Sequence, residues 1–214
     1  MVITYHGVEY VRVQFGETVL AFNPISKDSK HKGSSMGSDI VLVSLHHPDM
    51  NGVEAASRGS DRAGEPFIVD GPGAYEIKGI SIEGFSTVSR YGATHAINTV
   101  YLVTLEGMTL CYLGALGEAS LPQEAKEAID DIDILFVPVG GAGVLSPLEA
   151  HKLAVSLEPH VVIPIHHHDV GDKNALALFL KEEGEKNGIP VDKLTIKKKD
   201  LEGREGDIIV LAAQ

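Results

Sequence analysis

Residues 40–52 of this chain read IVLVSLHHPDMNG. The first four are aliphatic and mostly β-branched, a pattern that predicts a buried strand. Two histidines, a proline and Asp49 follow directly, and imidazole and carboxylate groups at a strand end are ligands that zinc uses in proteins. A strand ending in a polar turn, with His46 and His47 facing water, would give the same pattern. The stretch therefore predicts a strand and offers a metal site as one of two interpretations.

The first half of the chain is rich in predicted strands. Alternating or β-branched apolar residues predict strands over residues 2–5, 8–15, 18–22, 40–44, 67–70, 74–78, 80–87, 98–105 and 108–113. A short helix is predicted over residues 51–58. Residues 26–38 are polar and rich in Gly and Ser, which predicts a mobile loop. A loop of that length inside a compact domain is often functional.

The second half alternates helices with strands. Residues 120–123 read SLPQ, a helix-start pattern with Ser120 at the N-cap. A second capping box begins at Ser146, and a third helix is predicted over residues 173–183. Further strands are predicted over residues 132–137, 161–165, 194–197 and 207–211. Strand-rich segments followed by strand–helix units indicate two sheets packed between helices.

Composition limits the class of the protein. The 214 residues show no change of composition that marks a second domain, so a single domain over residues 1–214 is predicted. Cys111, the one cysteine, lies in an apolar strand, which predicts a buried, inert thiol and a reducing, cytoplasmic setting. We expect neither a signal peptide nor a membrane span. The net charge of −12 disfavours nucleic acid as a partner, and the basic run at residues 197–199 is interpreted as a solvated strand end.

The segment that follows the first buried strand resembles a known metal motif. Residues 44–50, SLHHPDM, are similar to the pattern (S/T)-H-x-H-x-D-H of the metallo-β-lactamase superfamily. Three positions match this pattern: Ser44, His47 and Asp49. Two positions replace its first and third histidines: Leu45 and Met50. The motif is therefore kept in outline, while two of its three imidazoles are absent.

Further segments extend the resemblance over nearly the whole chain. Residues 70–76, DGPGAYE, resemble a D-G-P-G-E-Y-E turn of one small bacterial branch of the superfamily, and residues 113–117, LGALG, resemble its L-G-D-L-G motif. Similarity also covers residues 3–7, 18–24, 98–101, 138–141 and 162–166. The resemblance implies an α/β fold, the four-layer αββα sandwich of the superfamily.

The resemblance also implies where the metal ligands lie. An intact member holds two ions joined by a bridging aspartate. The positions of the first ion are Leu45, His47 and a residue near Ser89. The positions of the second ion are Asp49, Met50 and His166, and the bridging position is Ala115. The positions that keep a metal ligand are His47, Asp49 and His166, and Asp49 is also the candidate catalytic residue.

Two functional hypotheses follow from this depleted set. Each ion keeps at most two protein ligands where catalytic zinc normally has three, so the first hypothesis is a degraded dinuclear site in an inactive or very weak hydrolase-like protein. Such a protein would need no cofactor and would act as a binding or assembly module.

The alternative is a mononuclear hydrolase of esters, lactones or phosphodiesters. It would hold zinc, manganese or iron at His47, Asp49 and His166, and a spare histidine would replace a lost ligand. The candidates for that role are His46, His95 and His168. A small-molecule ligand and a homo-oligomer are compatible with the sequence, whereas nucleic acid and membranes are not expected partners.

Overall fold

The computed structural model describes residues 1–57, 65–92, 95–168, 170–184 and 188–214, whose strands form two sheets. The strands of the first sheet are β1 (Val2–Tyr5), β2 (Val11–Phe15), β3 (Thr18–Phe22), β4 (Ile40–Leu42), β5 (Phe67–Val69) and β12 (Leu194–Thr195). The strands of the second sheet are β6 (Gly73–Ile77), β7 (Ile80–Ser89), β8 (Ala96–Leu105), β9 (Met108–Tyr112), β10 (Ile134–Pro138), β11 (Val161–Ile165) and β13 (Asp207–Ile208). The helices are α1 (Val53–Ser57), α2 (Gln123–Ala128), α3 (Pro147–Leu157) and α4 (Ala175–Glu182).

Both sheets mix parallel and antiparallel pairs. The first has the order β12-β1-β2-β3-β4-β5, and β3, β4 and β5 run parallel. The second has the order β13-β11-β10-β9-β8-β7-β6, with parallel pairing from β9 through β10 to β11. In open sheets of this kind, functional groups commonly gather at the carboxyl ends of the parallel strands. The ends of β4 and β11 carry the residues of the predicted site.

Apolar side chains fill three interfaces between layers. The sheets pack against each other through a core that includes Phe22 and Tyr112, whose ring centroids are 4.8 Å apart. The outer face of the second sheet packs on α2, α3 and α4, where Leu153 is buried. The outer face of the first sheet packs on α1, where Val41 meets Ala56 in one cluster. The order helix, sheet, sheet, helix confirms the predicted αββα sandwich.

Local turns shift the bounds of β2 and β4 from the predicted ones. β2 begins three residues later than predicted, because Val8 lies in a turn with a positive φ of 51°. β4 ends two residues earlier than predicted, because the Ser44 N–H donates to the side-chain oxygen of Asn23 at 2.7 Å rather than to a neighbouring strand. Both differences lie at the sheet edge that carries the predicted site.

One of the two predicted capping patterns is correct. At the start of α3, the Ser146 side chain accepts from the Glu149 N–H, and the Glu149 carboxylate accepts from the Ser146 N–H at 2.9 Å, which confirms the capping box. At the start of α2, Pro122 occupies the N-cap position, so the prediction of Ser120 as N-cap is wrong. The residue before a proline is disfavoured in helical conformation, which keeps Leu121 out of the helix.

Two polar segments make more contacts than their composition suggests. Residues 26–38 form no strand or helix, yet Arg12 Nη2 donates to the Gly37 carbonyl at 2.8 Å and holds one end of this loop. Mobility of the loop stays a prediction. The interpretation of residues 197–199 as a solvated strand end is wrong for Lys198, since it starts a 3-10 helix and its Nζ lies 2.7 Å from the buried Asp133 carboxylate.

Two predictions from composition concern burial and membranes. Cys111 is fully buried in β9, and burial raises the pKa of its thiol to about 12. A thiol of that kind is inert, as predicted. Among the described parts of the chain, no helix is long and apolar enough to cross a bilayer.

Candidate functional site

One tyrosine contacts all three predicted metal ligands at the carboxyl ends of β4 and β11. The Tyr91 ring meets His47 edge-on, with ring centroids 5.0 Å apart, and meets His166 edge-on at 4.9 Å. Its hydroxyl donates a hydrogen bond of 2.7 Å to Asp49 Oδ2. We call the site formed by Tyr91, His47, Asp49 and His166 the cleft. The structure therefore brings the three residues together around Tyr91, and their role as ligands stays a prediction.

The Asp49 carboxylate is nearly buried and surrounded by polar hydrogens. The Ser29 hydroxyl donates to Oδ1 and Tyr91 donates to Oδ2. His47 Nδ1 and His31 Nε2 lie 3.5 and 3.8 Å from Oδ2. Burial alone would raise the pKa of Asp49, but the two hydrogen bonds and the two imidazoles outweigh burial and hold this pKa below its usual value. Asp49 is therefore a carboxylate anion at neutral pH.

Glycines let the Tyr91 segment enter the cleft. A Cβ at Gly143 would lie 2.7 Å from the Tyr91 Cα, and the Arg90 N–H donates to the Gly143 carbonyl at 3.0 Å. A Cβ at Gly92, whose φ is 69°, would come within 2.6 Å of His47 Nε2. Larger residues at these positions would push the tyrosine away from the imidazoles.

Ser89, which the resemblance placed near the first ion, instead supports Tyr91. It is fully buried, and its Oγ accepts a hydrogen bond of 3.1 Å from the Tyr91 N–H. Burial of Tyr91, together with its hydrogen bond to Asp49 and the negative charge there, raises the pKa of the phenol well above its usual value. Tyr91 is therefore a protonated donor in the cleft.

A carboxylate behind His166 fixes the state of its ring. His166 is fully buried, and its Nδ1–H donates to Glu9 Oε1 at 2.8 Å. An ionised carboxylate only accepts, so Nδ1 carries a proton, and in the neutral form of the ring the lone pair lies on Nε2. His166 Nε2 is buried and has no hydrogen-bond partner within the described residues. The site thus contains an available imidazole nitrogen in a fixed orientation.

Asn23 completes this arrangement and explains one departure from the family pattern. Its Nδ2 donates to Glu9 Oε2 at 2.9 Å and to Ser44 Oγ at 2.7 Å, while its Oδ1 accepts from the Ser44 N–H. Residues 18–24 resemble a strand of the superfamily that ends in an Asp-Pro pair, and Asn23 stands in the aspartate position. A carboxylate there would place a like charge against Glu9 and could not donate to it. Asn23 and Glu9 are therefore chemically matched.

The positions that lost their ligands form an apolar part of the cleft. Leu45, Met50 and Ala115 are buried in one cluster with Val144 and Val170. Leu45 and Ala115 offer no side-chain donor, and a thioether is a soft ligand that suits a hydrolytic ion poorly. This part of the cleft has no ligand set for a second ion.

The structure brings a different histidine to Asp49 than the spare histidines named from the sequence. His46 Nε2 hydrogen-bonds to the Asp70 carbonyl at 3.2 Å, and His168 lines a neighbouring cavity. His31, from the polar loop at residues 26–38, contacts Asp49 instead. A role for His95, which is exposed, stays a prediction.

Sequence reasoning missed three residues of the cleft: Glu9, His31 and Tyr91. Glu9 carried a usable signal, since it is the single acidic residue among apolar neighbours in the stretch YHGVEYVRV. A charged residue is seldom fully buried without a partner. Tyr91 and His31 lie in irregular segments and have no periodic pattern that would have indicated them.

A second group of metal-type ligands lies at the opposite, amino ends of β10 and β11. Asp131, Asp133 and His160 offer ligand atoms within 4.8 Å of one another, the one such group that the described residues contain. We call it the amino-end group. Lys198 Nζ lies 2.7 and 2.8 Å from the two oxygens of Asp133, and His160 Nδ1 donates to the Arg204 carbonyl at 2.9 Å. A lysine ammonium therefore already pairs with one of the two carboxylates of this group.

A family model and individual proteins are similar in sequence to this chain. A family model described as the beta-lactamase superfamily domain matches residues 2–166. A UPF0173 metal-dependent hydrolase of Bacillus licheniformis is 24% identical over 195 residues, which cover 78% of this chain and 85% of that protein. Another of Thermococcus kodakarensis is 33% identical over 70 residues, or 31% of this chain and 30% of that one.

Solved structures agree with the sequence comparison. A Thermotoga maritima protein assigned as a Zn-dependent hydrolase of the metallo-β-lactamase superfamily superposes with a TM-score of 0.72 at 25% identity, covering 98% of this chain and 97% of that one. The metallo hydrolase Igni18 of Ignicoccus hospitalis gives 0.65 at 17% identity over 92% and 99% of the two chains, a likeness of fold alone. The sandwich, the cleft and the family match together show that the chain belongs to the metallo-β-lactamase superfamily.

Proposed function

We propose that this chain is a metal-dependent hydrolase with a single-metal site formed by His47, Asp49 and His166. The Bacillus and Thermococcus relatives are named metal-dependent hydrolases, which supports both a metal and a hydrolytic reaction. The observation that carries the proposal is the buried Nε2 of His166, which has no partner in the described part of the chain. Leaving a buried polar atom unpaired costs about 1–3 kcal/mol, so a ligand at this atom is expected.

The residues of the cleft have the composition for one ion and not two, and binding it would require movement, since their ligand atoms do not all lie within 4.8 Å of one another in the described structure. Catalytic zinc sites use three protein ligands and leave a position for water, and the retained two imidazoles and one carboxylate have that composition. Glu9 holds the proton on Nδ1 of His166, an arrangement typical of metal-binding histidines. The lost positions, which are now apolar, offer nothing to a second ion.

The side chains of the cleft have separate tasks in this proposal. A bound ion would supply activated water for attack on an ester, a lactone or a phosphodiester. Glu9 holds the His166 ring in one tautomer and one orientation. Asp49 keeps its negative charge, and Tyr91, once its hydroxyl leaves Asp49, remains a protonated donor for a substrate oxygen. The apolar cluster around Met50 would contact the carbon skeleton of the substrate.

Tyr91 also supports a second candidate function, a binding or assembly module without a metal. Its hydroxyl holds Asp49, and the Asp49 N–H donates to His47 Nδ1 at 3.2 Å. An ion would have to displace both hydrogen bonds, which weakens its binding. This arrangement favours an inactive or very weak protein that needs no cofactor.

Metal content distinguishes the two candidates. Untagged protein stripped with a chelator would be titrated with zinc, manganese and iron, dialysed, and analysed for retained metal. We expect about one equivalent, as a single three-ligand site requires. It should be lost in His47→Ala and in His166→Ala. His160→Ala is the matched control, because it removes an imidazole from the amino-end group and leaves the cleft unchanged.

Each outcome assigns the metal to one place. Retention in His166→Ala with loss in His160→Ala would move the ion to the amino-end group. The absence of retained metal in the unmodified protein would contradict the single-metal site and leave the binding module. Where metal is retained, hydrolysis of a panel of esters, lactones and phosphodiesters should disappear on adding chelator.

A further inference from the structure

A separate cavity of about 630 Å³ lies beside the cleft. It is enclosed by the turn after β1, the loop at residues 26–38, the segment after β11 and the last residues of the chain. Its polar wall is formed by His6, Lys30, His31, Lys32, His167, His168 and Gln214. Cavities of about 300–1,000 Å³ are the usual size of small-molecule sites. We call it the basic cavity.

The charge of the basic cavity is opposite to that of the whole protein. The chain carries a net charge of −12, yet no aspartate or glutamate side chain lines the cavity among the residues described. Lys30 and Lys32 are exposed, and neither forms an ion pair with any described residue. Two unpaired ammonium groups at the mouth of a cavity attract an anion and raise its local concentration.

A buried hydrogen-bond acceptor forms part of the same wall. His167 is 5% exposed, and its Nε2–H donates to the Pro164 carbonyl at 3.2 Å. The lone pair of the neutral ring is then on Nδ1, which is buried and has no partner in the described residues. Because the side chain lines the cavity, a ligand with an N–H or O–H can satisfy this atom. The lysines favour an anionic group on the ligand, whereas Nδ1 of His167 favours a hydrogen-bond donor.

The remaining wall suits a short carbon skeleton. Ile25, Leu176, Val210 and Leu211 contribute apolar surface between the lysines and the interior. Ligand sites of this type combine apolar contact with a few polar groups that fix orientation. An inorganic ion alone would leave both the apolar wall and the His167 acceptor without contacts.

We propose that the basic cavity binds a small organic anion that also carries a hydroxyl or amino hydrogen. The anionic group would meet Lys30 and Lys32, and the hydrogen would be donated to His167 Nδ1. The cavity borders the cleft, since His31 lines it and also lies 3.8 Å from Asp49. The proposal requires no metal, so its outcome is independent of the single-metal site.

Binding of four small probes to the full chain tests this ligand class. Glycerol 3-phosphate and glycerate carry both an anionic group and hydroxyls, and they distinguish phosphate from carboxylate. Methyl phosphate lacks the hydroxyl donor, and glycerol lacks the charge. We expect calorimetry to give a dissociation constant of about 1 mM or tighter for one of the first two. Methyl phosphate should bind about tenfold more weakly, and glycerol should not bind measurably.

Variants locate the binding and provide the control. Lys30→Gln combined with Lys32→Gln should weaken the bound probe by about tenfold or more, because charge-assisted hydrogen bonds are lost. Lys27→Gln is the matched control, since it removes a lysine from the same loop outside the cavity wall, and it should leave affinity unchanged. Equal weakening by both changes, or no saturable binding of either charged hydroxyl probe, would overturn the proposal.

His167 has its own readout. His167→Phe should reduce binding of glycerol 3-phosphate to that of methyl phosphate while leaving methyl phosphate unaffected. If this buried change prevents folding, ¹⁵N NMR of the unmodified protein replaces it. The Nδ1 resonance of His167 should then move on adding glycerol 3-phosphate and stay in place with methyl phosphate. A resonance unmoved by the bound hydroxyl probe would contradict the donor part of the proposal.

Discussion

Two groups of histidine and carboxylate side chains lie at opposite ends of strands β10 and β11. The amino-end group and the cleft differ in how their charge is balanced. At the amino ends, Asp133 accepts from Lys198 at 2.7 and 2.8 Å and from the Thr109 N–H at 2.8 Å. The carboxylate is buried, and its oxygens have partners from the chain itself. The amino-end group thus has ligand atoms close together and an internal cation where an ion would lie.

At the carboxyl ends the balance is different. Asp49 is held by neutral hydroxyls, of which Tyr91 is one, and His166 Nε2 has no partner among the residues described. Glu9 adds a second buried carboxylate behind that ring. The two places therefore differ in kind: the amino-end group has closely spaced ligand atoms with a lysine among them, whereas the cleft has a buried ring nitrogen without a partner in the described residues.

Of the changes that test this difference, removing the Lys198 ammonium should have the largest effect on stability. Lys198→Met leaves the buried Asp133 charge without its cation, and we expect a loss of about 3 kcal/mol in the free energy of unfolding. The change also converts the amino-end group into an empty cation site, so zinc should restore part of the lost stability. Urea unfolding with and without zinc measures both effects.

The neighbouring lysine provides the control for this experiment. Lys199→Met removes an exposed charge from the same 3-10 helix and should change stability by less than about 0.5 kcal/mol. Zinc should give it no added protection. Equal losses for the two variants would mean that Lys198 does not neutralise the amino-end group, and the comparison would lose its basis.

Acid should destabilise the edge that carries the cleft and the basic cavity. Burial, with a smaller contribution from Arg12, lowers the pKa of His6 from 6.5 to about 4. The unfolded chain therefore takes up this proton at higher pH than the folded one, so stability is complete above about pH 6.5 and falls as pH decreases toward about 4. By about pH 4.5 the loss from His6 should reach about 2 kcal/mol.

Chemical unfolding across that pH range tests whether acid lowers the stability and whether His6 causes the loss. His6→Gln, which keeps hydrogen-bonding capacity without a proton to titrate, should reduce the slope of the curve between about pH 6.5 and 4 by about half, because burial also lowers the pKa of His167 to about 4 and that ring still titrates in this range. Stability that increases on acidification would be the opposite sign and would contradict a buried neutral His6.

Changing the carboxylate behind His166 should alter metal binding more than the fold. Glu9→Gln keeps the size of the side chain, but it weakens the acceptor that fixes the proton on His166 Nδ1. We expect zinc affinity in the cleft to fall by about tenfold or more, as for other residues behind metal-binding histidines. Glu54→Gln, on α1, is the control and should leave affinity unchanged. Unchanged affinity in Glu9→Gln would remove His166 from the proposed ligand set.

Local pattern predicted most of the fold. The capping box at Ser146 and the buried run of β4 are encoded by neighbouring residues, so sequence alone located them. The start of β2 was misplaced because Val8 lies in a turn with a positive φ, and Glu9 beside it is buried through a contact with His166, 157 residues away. Hydrophobic periodicity along the sequence cannot indicate a contact between residues so far apart. A single domain, a cytoplasmic setting, avoidance of nucleic acid and homo-oligomer formation stay predictions.

The residues of the cleft also divide into those that the sequence indicated and those that only the folded chain brings together. A motif with fixed spacing indicated His47 and Asp49, and similarity to a strand-end pattern indicated His166. Tyr91 reaches Asp49 across 42 residues through two glycine contacts that only the folded chain shows. The sequence therefore indicated three residues that lie around the cleft, while Tyr91, which lies between them, depended on tertiary packing.

The smallest effect should come from removing one hydroxyl. Tyr91→Phe keeps the ring against both imidazoles and deletes the hydrogen bond to Asp49, so the protein should lose about 1 kcal/mol of stability. Because an ion no longer has to displace that bond, zinc affinity should increase by about fivefold. Tyr75→Phe, which deletes a hydroxyl bonded to the Gly71 carbonyl outside the cleft, should leave affinity unchanged. Weaker zinc binding in Tyr91→Phe would instead make the phenol oxygen a ligand. The tyrosine would then complete the cleft as Lys198 completes the amino-end group.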